Sequence, residues 1–535
     1  MRIIYACSIF GLILCGLMGC GNGEFQPVKV FRYNQSSGIS SLDPAFAKDQ
    51  AGMWAVNQLF NGLVQMDDSM QVRPCIAHSW MVSEDGKRYT FYLRRDVYFH
   101  DNPIFEGGRG PRLVASDVAY SFSRLVDTVL ASPGAWVFNG KIADKNPFVA
   151  LNDSTFQLNL NQAFPPLLGI LTMQYCSIVP KAIVSAMGRD FRIMPVGTGP
   201  FRFKLWHENE VLVLVRNNNY FERDAEGQQL PYIDGVKVSF MDNKRNEYLK
   251  FTEGKFDMLS GIDVAWKDDL LSPEGQLVAQ QQEKINLLRT PYLNTEYLGI
   301  LQQGKVPPAL TDKRVRQAIN YGIDRPKMLR YLRNNVGVPA THGFVPPVLP
   351  PFDQKPTQGY TYNPDLAGQL LQAAGYGKAK PLTGLSLETT ASYQDIAIFV
   401  QKQLAEISIL VNVQLNTGPL LRERAAKGEV PLFRASWVGD YPDAENYLAV
   451  LYGQSPAPPN YTRFNNRRYD EWYREALNKP ALREQLYRKM DSLLVLEAPI
   501  IPLYYDEVLR FVNKRVKNLG INGFNMLHLK QVRLE

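Results

Sequence analysis

The stretch LSLETTASYQDIAIFVQKQLAEISILVNVQLNTGPLLRERAAKGEVPLFRASW, residues 385–437, alternates between two hydrophobic patterns. Short runs rich in leucine, valine and phenylalanine favour β-strands, and between them apolar residues recur at helical spacing. The resulting order is strand, helix, strand, helix, strand. This order predicts an α/β domain whose sheet is largely parallel.

The last of these strands leads into RASWVGDYPDAENYL, residues 434–448, where an arginine, an indole and several carboxylates lie close together. In open α/β sheets, ligands bind beyond the carboxyl ends of the strands. Residues 434–441 are therefore a candidate ligand site. Asp443 is placed to cap the following helix, AENYLAVLY. Asp440 has a competing interpretation as a turn residue that leads into the same helix.

The rest of the chain predicts more than one domain. Its 535 residues exceed what one hydrophobic core usually organises. Short alternating runs at residues 88–99 and 154–160, separated by turn signals, predict hairpins in the first part. Residues 53–64 have apolar side chains at helical spacing. We therefore expect a mixed first part followed by the α/β part.

Composition excludes several classes of protein. The formal net charge of +7 is not gathered into a basic run, which argues against nucleic-acid binding. The five histidines are scattered, and no CxxC or HExxH spacing occurs, so no metal or other cofactor is expected. Cys75 and Cys176 are predicted to be buried, apolar side chains.

The N-terminus reads as a secretory signal. Arg2 precedes an apolar run that is short for a membrane span and ends in Leu17-Met18-Gly19-Cys20. This ending resembles the lipobox of bacterial lipoproteins, in which the signal is removed before a cysteine that becomes lipidated. The resemblance implies a lipid anchor on Cys20. The alternative is a plain signal peptide with an incidental cysteine.

Eight stretches, in the same order along the chain, together resemble the solute-binding proteins of peptide and nickel ABC transporters, in particular the dipeptide- and oligopeptide-binding group. They are SSLDPA (40–45), QLFNGLV (58–64), SWMVSEDGKRYTFYLRRDVYFHD (79–101), SDVAYSFSRLVD (116–127), PVGTGPFRFK (195–204), DKRVRQAINYGIDR (312–325), LLQAAGY (370–376) and WVGDYPDAENYL (437–448).

The resemblance implies an α/β fold of the class II periplasmic-binding-protein type: a two-lobed clamp with an extra domain in the first lobe and two chain crossings between lobes. The expected divisions are a signal peptide (1–19), a lipidated tether (20–26), lobe I (27–66), its extra subdomain (67–189), lobe I continued (190–290), lobe II (291–502) and a lobe I return segment (503–535). A monomer is expected.

The resemblance also implies a function and a ligand site. The protein would capture di- to oligopeptides and pass them to ABC-transporter permease subunits, from a membrane-anchored position facing the periplasm or exterior. Asp440 would pair with the ammonium of a peptide and Trp437 would pack beside it, while Arg434 would meet the carboxylate of short peptides. The further residues with an implied ligand role are Gly439, Tyr441, Trp136 and Gln394.

Several alternatives stay open. Trp437 and Trp136 could be core residues, and Arg434 could form a structural ion pair. Lys48 stands where oligopeptide-binding relatives have an acidic residue, Ala425 where they have an arginine, and Gln394 where they have a histidine. The size of the ligand is therefore open.

Two other functions compete with peptide capture. Family members also bind nickel chelates, haem or oligosaccharides. A hydrolase using Asp440, Asp443 and Glu445 is disfavoured because carboxylates on one turn cannot flank a scissile bond from two sides. No enzymatic activity is therefore expected.

Overall fold

The computed structural model describes residues 28–535, so the predicted signal peptide and Cys20 lie outside the described residues. The strands are β1 (Val30–Asn34), β2 (Val64–Met66), β3 (Val72–Pro74), β4 (Ala77–Val82), β5 (Arg88–Leu93), β6 (Phe148–Asn152), β7 (Thr155–Asn159), β8 (Phe201–His207), β9 (Val211–Arg216), β10 (Gly235–Ser239), β11 (Met258–Ser260), β12 (Ile285–Ile300), β13 (Val338–Pro339), β14 (Leu382–Thr389), β15 (Ile409–Leu415), β16 (Leu432–Val438), β17 (Ile500–Asn513), β18 (Val516–Lys517) and β19 (Arg533–Leu534).

Helices cover the sheets and fill the connections between strands. They are α1 (Gln50–Leu59), α2 (Ala115–Leu125), α3 (Leu167–Ile170), α4 (Lys181–Met187), α5 (Lys244–Thr252), α6 (Lys267–Leu270), α7 (Pro308–Thr311), α8 (Lys313–Tyr321), α9 (Arg325–Arg333), α10 (Pro364–Ala373), α11 (Gln394–Glu406), α12 (Gly418–Lys427), α13 (Ala444–Leu448), α14 (Arg467–Asn478) and α15 (Arg483–Glu497).

The predicted alternation in residues 385–437 is confirmed as β14, α11, β15, α12 and β16. Strand β14 pairs in parallel with both β15 and β16, as the strand–helix–strand order requires. These strands belong to a large sheet of eleven strands with the order β15-β14-β16-β12-β17-β11-β1-β10-β9-β8, with β13 attached to β17. Strand β16 pairs antiparallel with β12, whereas β1 pairs in parallel with both β10 and β11, so the sheet mixes parallel and antiparallel pairs in both halves.

Two long antiparallel strands, β12 and β17, form the middle of this sheet and run through both of its halves. Their pairing is interrupted between Pro291 and Thr295 of β12, opposite Glu507 and Tyr505 of β17. The buried apolar residues fall into separate clusters on the two sides, one around Phe31 and Leu529 and another around Leu298. The predicted division at residue 291 lies where the interruption begins; the division itself stays a prediction.

A separate four-stranded sheet, β4-β5-β7-β6, lies within the predicted extra subdomain. Helix α2 packs on it through Phe122, whose ring contacts those of Phe138, Phe148 and Phe156. Edge-to-face and tilted ring pairs of this kind add to the stabilisation from burial. The predicted strands at residues 88–99 and 154–160 correspond to β5 and β7, which pair antiparallel.

Local capping explains where two helices near the cleft begin. Asp443 caps α13, because its carboxylate accepts a hydrogen bond from the N–H of Glu445 at 2.9 Å, as predicted. The helix predicted at residues 53–64 is α1, which begins at Gln50 and ends at Leu59. Asp49 caps it through the N–H of Gly52 at 2.8 Å, and Val64 pairs with Pro74 in a small hairpin.

The return segment after β17 is held by a fully buried arginine, Arg510. Its guanidinium donates to the carbonyl oxygens of Gly520 at 2.7 Å and Met526 at 2.9 Å, and to Oδ1 of Asn525 at 3.1 Å. The guanidinium also lies over the ring of Trp54 in α1. Arg510 therefore ties residues 520–526 to the core.

We predict that Arg510→Met lowers the free energy of unfolding by about 3 kcal/mol, because buried acceptors lose their charged donor. Denaturant unfolding followed by circular dichroism measures this. The control is Arg467→Met, whose side chain is 93% exposed and pairs only with Glu471; a change within about 0.5 kcal/mol is expected. Equal effects of the two substitutions would contradict the anchoring role.

Candidate functional site

A cavity of about 390 Å³ opens where the interruption of β12 faces the end of β16. Its wall comes from three separated stretches of chain: residues 48–62, residues 438–440 and the return segment 522–530. Further wall residues lie near 65–67, 172–177 and Tyr292. The polar and charged residues of the wall include Lys48, Asp49, Asn57, Asn61, Gln65, Asp67, Gln174, Tyr292, Asp440, Asn522, His528 and Lys530.

One backbone residue in the interruption of β12 connects two of these walls. The N–H of Leu293 donates to the carbonyl of Gly523 in the return segment at 2.7 Å, and its carbonyl accepts from the N–H of Gly439 at 2.7 Å. Leu293 has left the β12–β17 ladder, so both of its backbone groups are free to make these bonds. The interruption thereby fixes residue 439 and the return segment on opposite sides of the cavity.

The side chain of Asp440 reaches the cavity from the end of β16 and is positioned by Asn446 of α13. Oδ1 of Asn446 accepts from the backbone N–H of Asp440 at 3.1 Å and from the indole N–H of Trp437 at 2.9 Å. Its amide nitrogen donates to Oδ2 of Asp440 at 3.3 Å. Asn446 therefore holds both the strand end and the carboxylate, a role that the sequence did not reveal.

Asp440 is a partly buried acid whose neighbours that affect its pKa are Asn446 and Glu445. Burial raises the pKa of Asp440 to about 6; the hydrogen bond from Asn446 lowers it and the nearby Glu445 carboxylate raises it further. Among residues 28–535, no lysine or arginine contributes to this pKa shift. At neutral pH the cavity therefore carries a desolvated negative charge that the protein itself does not neutralise.

The other two carboxylates of the segment 440–445 are already engaged. Glu445 is buried and accepts hydrogen bonds from the hydroxyls of Tyr441 and Tyr473. Asp443 caps α13 and forms an ion pair with Arg483. Asp440 alone of the three lines the cavity, so the pair of carboxylates that glycoside hydrolysis needs is not formed by these residues.

The residues predicted to bind ligand fall into two groups. Gly439 and Asp440 line the cavity. Trp437 is partly buried against a cluster that includes Tyr447, and Tyr441 is buried against the first core cluster and close to Gly169. Neither belongs to the cavity wall, and a ligand role for them stays a prediction.

The remaining predicted residues are not part of the cavity wall. Trp136 is partly buried, and Lys141 lies over its ring and donates to its carbonyl at 2.8 Å. Gln394 is exposed at the first residue of α11. Arg434 forms an ion pair with Glu296 and lies over the ring of Tyr393. The ion pair offered as one interpretation of Arg434 is therefore present, and the ligand roles of Arg434, Trp136 and Gln394 stay predictions.

Sequence analysis missed most of the cavity wall on the side of α1 and the return segment. Lys48 is predicted only as a departure from the acidic residue of oligopeptide-binding relatives; it lines the cavity together with Asp49. His528 follows β17 in a stretch without periodicity. Burial, then the neighbouring Lys530, lowers the pKa of His528 to about 4, so this imidazole is neutral at pH 7.

Both cysteines are free and buried, as predicted. Cys75 lies at the base of the cavity, and burial raises the pKa of its thiol to about 12, so it is not a nucleophile at neutral pH. No group of three histidine, cysteine or acidic side chains within residues 28–535 is arranged to hold a metal ion. The same residues contain no helix with the length and apolarity of a membrane span.

Comparison with known proteins finds consistent relatives. A family described as "Bacterial extracellular solute-binding proteins, family 5 Middle" matches residues 71–459. The chain is 26% identical over 498 residues to the dipeptide-binding protein of Escherichia coli strain K12, covering 89% of each. It is 28% identical over 485 residues to heme-binding protein A of Haemophilus influenzae, covering 86% of this chain and 84% of the relative.

The fold is also similar to that of solved proteins. The periplasmic binding protein DppA of Helicobacter pylori, in complex with the peptide STSA, superimposes with a TM-score of 0.79 at 26% identity, over 95% of this chain and 98% of that protein. The murein tripeptide-binding protein MppA of Escherichia coli gives 0.75 at 25% identity, over 95% and 99%. The two-lobed α/β clamp implied by the sequence is thus confirmed.

The raised pKa of Asp440 makes a prediction about stability. The folded protein holds the proton more tightly than the unfolded chain, so the ionised carboxylate destabilises the ligand-free fold above pH 6. We expect Asp440→Asn to raise the free energy of unfolding at pH 7.5 by about 1–2 kcal/mol, allowing for partial exposure. The gain should shrink as the pH falls through 6 and vanish near pH 4.

Denaturant titrations at several pH values measure this difference. The exposed Asp144 offers a matched control, since Asp144→Asn should change the stability by less than about 0.5 kcal/mol. A less stable Asp440→Asn protein at pH 7.5 would show that the carboxylate is already compensated within the chain.

Proposed function

Since the chain belongs to the bacterial extracellular solute-binding proteins of family 5, the peptide and nickel ABC-transporter group, we propose that it captures peptides with a free amino terminus and delivers them to an ABC-transporter permease. The ligand is held in the cavity between the lobes. The chain acts by binding and release and performs no chemical reaction on the peptide.

The observation that carries this proposal is the uncompensated carboxylate of Asp440 in the cavity wall. A desolvated charge is stabilised when a partner of opposite charge enters and forms hydrogen bonds with it. The α-ammonium of a peptide offers three N–H donors on one compact cation. Hydrogen bonds of this charged type contribute roughly 1.5–3 kcal/mol each.

The surrounding wall suits the rest of a peptide. Asn57, Asn61, Gln174 and Asn522 supply amide donors and acceptors, and Met53, Met173 and Phe524 supply apolar surface. Backbone groups of an extended ligand can be satisfied by such amides whatever its side chains are. Methionine side chains adapt to different shapes, which favours a loose sequence preference.

The relatives support a peptide over other solutes, though not uniformly. One similar protein is named for dipeptides and one similar structure holds the peptide STSA, whereas another relative is named for heme. A heme or nickel chelate offers no obligatory ammonium for Asp440. The charge in the cavity therefore favours the peptide.

We further propose that the mature protein is tethered to a membrane through lipid on Cys20, facing the periplasm or the exterior. The support is the sequence Leu17-Met18-Gly19-Cys20 after an apolar run. Cys20→Ala is expected to move the protein from the membrane fraction to the soluble envelope or secreted fraction and to abolish palmitate labelling. Cys176→Ala, which changes a buried cysteine, serves as the control. Unchanged fractionation and no label in the parent protein would refute the anchor.

Removal of the Asp440 carboxylate should abolish useful affinity for free-amine peptides. Loss of one partner of a desolvated charge pair costs about 3–5 kcal/mol, or roughly two to nearly four decades in Kd. N-acetylated peptides lack the ammonium, so they should bind the parent protein weakly and lose little more with Asp440→Ala. Calorimetry with di- to pentapeptides and their acetylated forms measures both effects.

Asp144→Ala provides a control at an exposed acid and should bind like the parent protein. If Asp440→Ala bound free-amine peptides as tightly as the parent, the cavity carboxylate would not be the ammonium partner. The ligand would then have to be sought among the non-peptide solutes of the family.

A further inference from the structure

Arg434 lies on the same strand as the segment that leads to Asp440, but unlike Asp440 it has a partner of opposite charge among residues 28–535. Arg434 of β16 forms an ion pair with Glu296 of β12, and its guanidinium lies over the ring of Tyr393. The side chains of Arg434 and Glu296 are 13% and 3% exposed. The arginine therefore sits at the boundary between the core and the solvent, whereas its partner is buried.

The face of the sheet that carries this pair is the face that lines the cavity. Side chains alternate along a strand, so Arg434 and Ser436 point to the same side as Val438, which is a wall residue. In the antiparallel pairing, Ser436 lies opposite Glu296 and Val438 opposite Asn294. Glu296 thus stands between Arg434 and the cavity end of the sheet.

Two arginines that pair with carboxylates of β17 are neutralised in the same way. Arg333 pairs with Asp506 at 2.6 Å, and Arg289 donates from Nε to Glu507 at 2.8 Å. Each arginine of this group therefore has its own carboxylate within the chain. Among the described residues of the group, no guanidinium is left to meet an incoming anion, in contrast to the unpaired carboxylate of Asp440.

We propose that Glu296 is a specificity-determining residue: it occupies Arg434 as an internal carboxylate and prevents this arginine from recognising the carboxyl terminus of a ligand. This inference rests on the proposed function. The protein then selects its peptides at the amino end, through Asp440, and accepts peptides whose carboxyl end is free, amidated or extended.

The physical reason is the free-energy cost of replacing Glu296 by a ligand carboxylate as the partner of Arg434. A ligand carboxylate that took Arg434 would leave the ionised Glu296 buried with only the amide of Asn294 as a partner and no cation, which is strongly unfavourable. Burial raises the pKa of Glu296, Arg434 lowers it, and the nearby carboxylate of Asp506 raises it further. Without Arg434, both burial and Asp506 would therefore oppose the ionised form of Glu296. An internal carboxylate at fixed distance also loses no translational freedom on pairing, so a free carboxylate cannot compete with it.

The first test needs no peptide. Glu296→Gln removes the competing charge at nearly constant shape, and the freed guanidinium should then bind acetate. We expect the Tm of Glu296→Gln to rise with acetate at constant ionic strength, while the Tm of the parent protein and of the double variant Glu296→Gln/Arg434→Gln does not. No specific acetate effect in folded Glu296→Gln would overturn the proposal.

The second test uses matched tripeptides with a free or an amidated carboxyl terminus. The parent protein should bind both forms within about threefold, whereas Glu296→Gln should prefer the free carboxylate by about tenfold or more. The double variant should lose this preference. A parent protein that already prefers the free carboxylate by about tenfold, with the preference erased by Arg434→Gln, would overturn the inference even if Glu296→Gln did not fold.

The two tests separate the inference from the proposed function. If the parent protein bound neither tripeptide, peptide capture would be refuted, and the acetate response would still report whether Glu296 blocks Arg434. If both tripeptides bound but Glu296→Gln showed no new preference, peptide capture would stand and the blocking role would be refuted.

Discussion

The pairing of β12 with β17 is the constraint on which the rest of the structure depends. These two strands lie in the middle of the large sheet and belong to both of its halves. Where their ladder is interrupted, the backbone of Leu293 bonds to Gly523 on one side and Gly439 on the other. A continuous ladder would use both groups of Leu293 internally and leave the two cavity walls unconnected. The interruption therefore joins the two cavity walls through the backbone of Leu293.

Asp440 differs from three arginines of the large sheet and its helices in how its charge is compensated, and this difference bears on how binding can be selective. Arg289, Arg333 and Arg434 each have an acidic partner within the chain. Asp440 has an amide partner, Asn446, and no cation from residues 28–535 shifts its pKa. An amide orients the carboxylate without neutralising it, so the attraction for a cation is preserved. The site is thereby less stable when empty than an uncharged cavity would be, a trade that binding sites commonly show.

Sequence reasoning succeeded where the signal is local. The strand–helix alternation of residues 385–437 and the cap at Asp443 depend on neighbours within a few positions. The end of α1 was misplaced because Val64 pairs with Pro74 in a hairpin, and this partner is not local. The strand-end position of Asp440 was likewise predictable. The pairing of Glu296 with Arg434 was not predictable, because the two residues are 138 positions apart along the chain and only the folded sheet brings them together. The wall formed by residues 522–530 was missed for the same reason.

The central claim is that Asp440 carries a charge that only the ligand compensates. Its most direct test is a pH titration of the Asp440 carboxyl carbon by NMR in protein labelled with ¹³C-aspartate, with the Asp440→Asn variant used for assignment. The account predicts a pKa of about 6 in the free protein. With a saturating free-amine tripeptide, that pKa should fall by at least about one unit, because the bound ammonium stabilises the ionised form. A peptide that binds tightly and leaves the pKa of Asp440 unchanged would contradict the account.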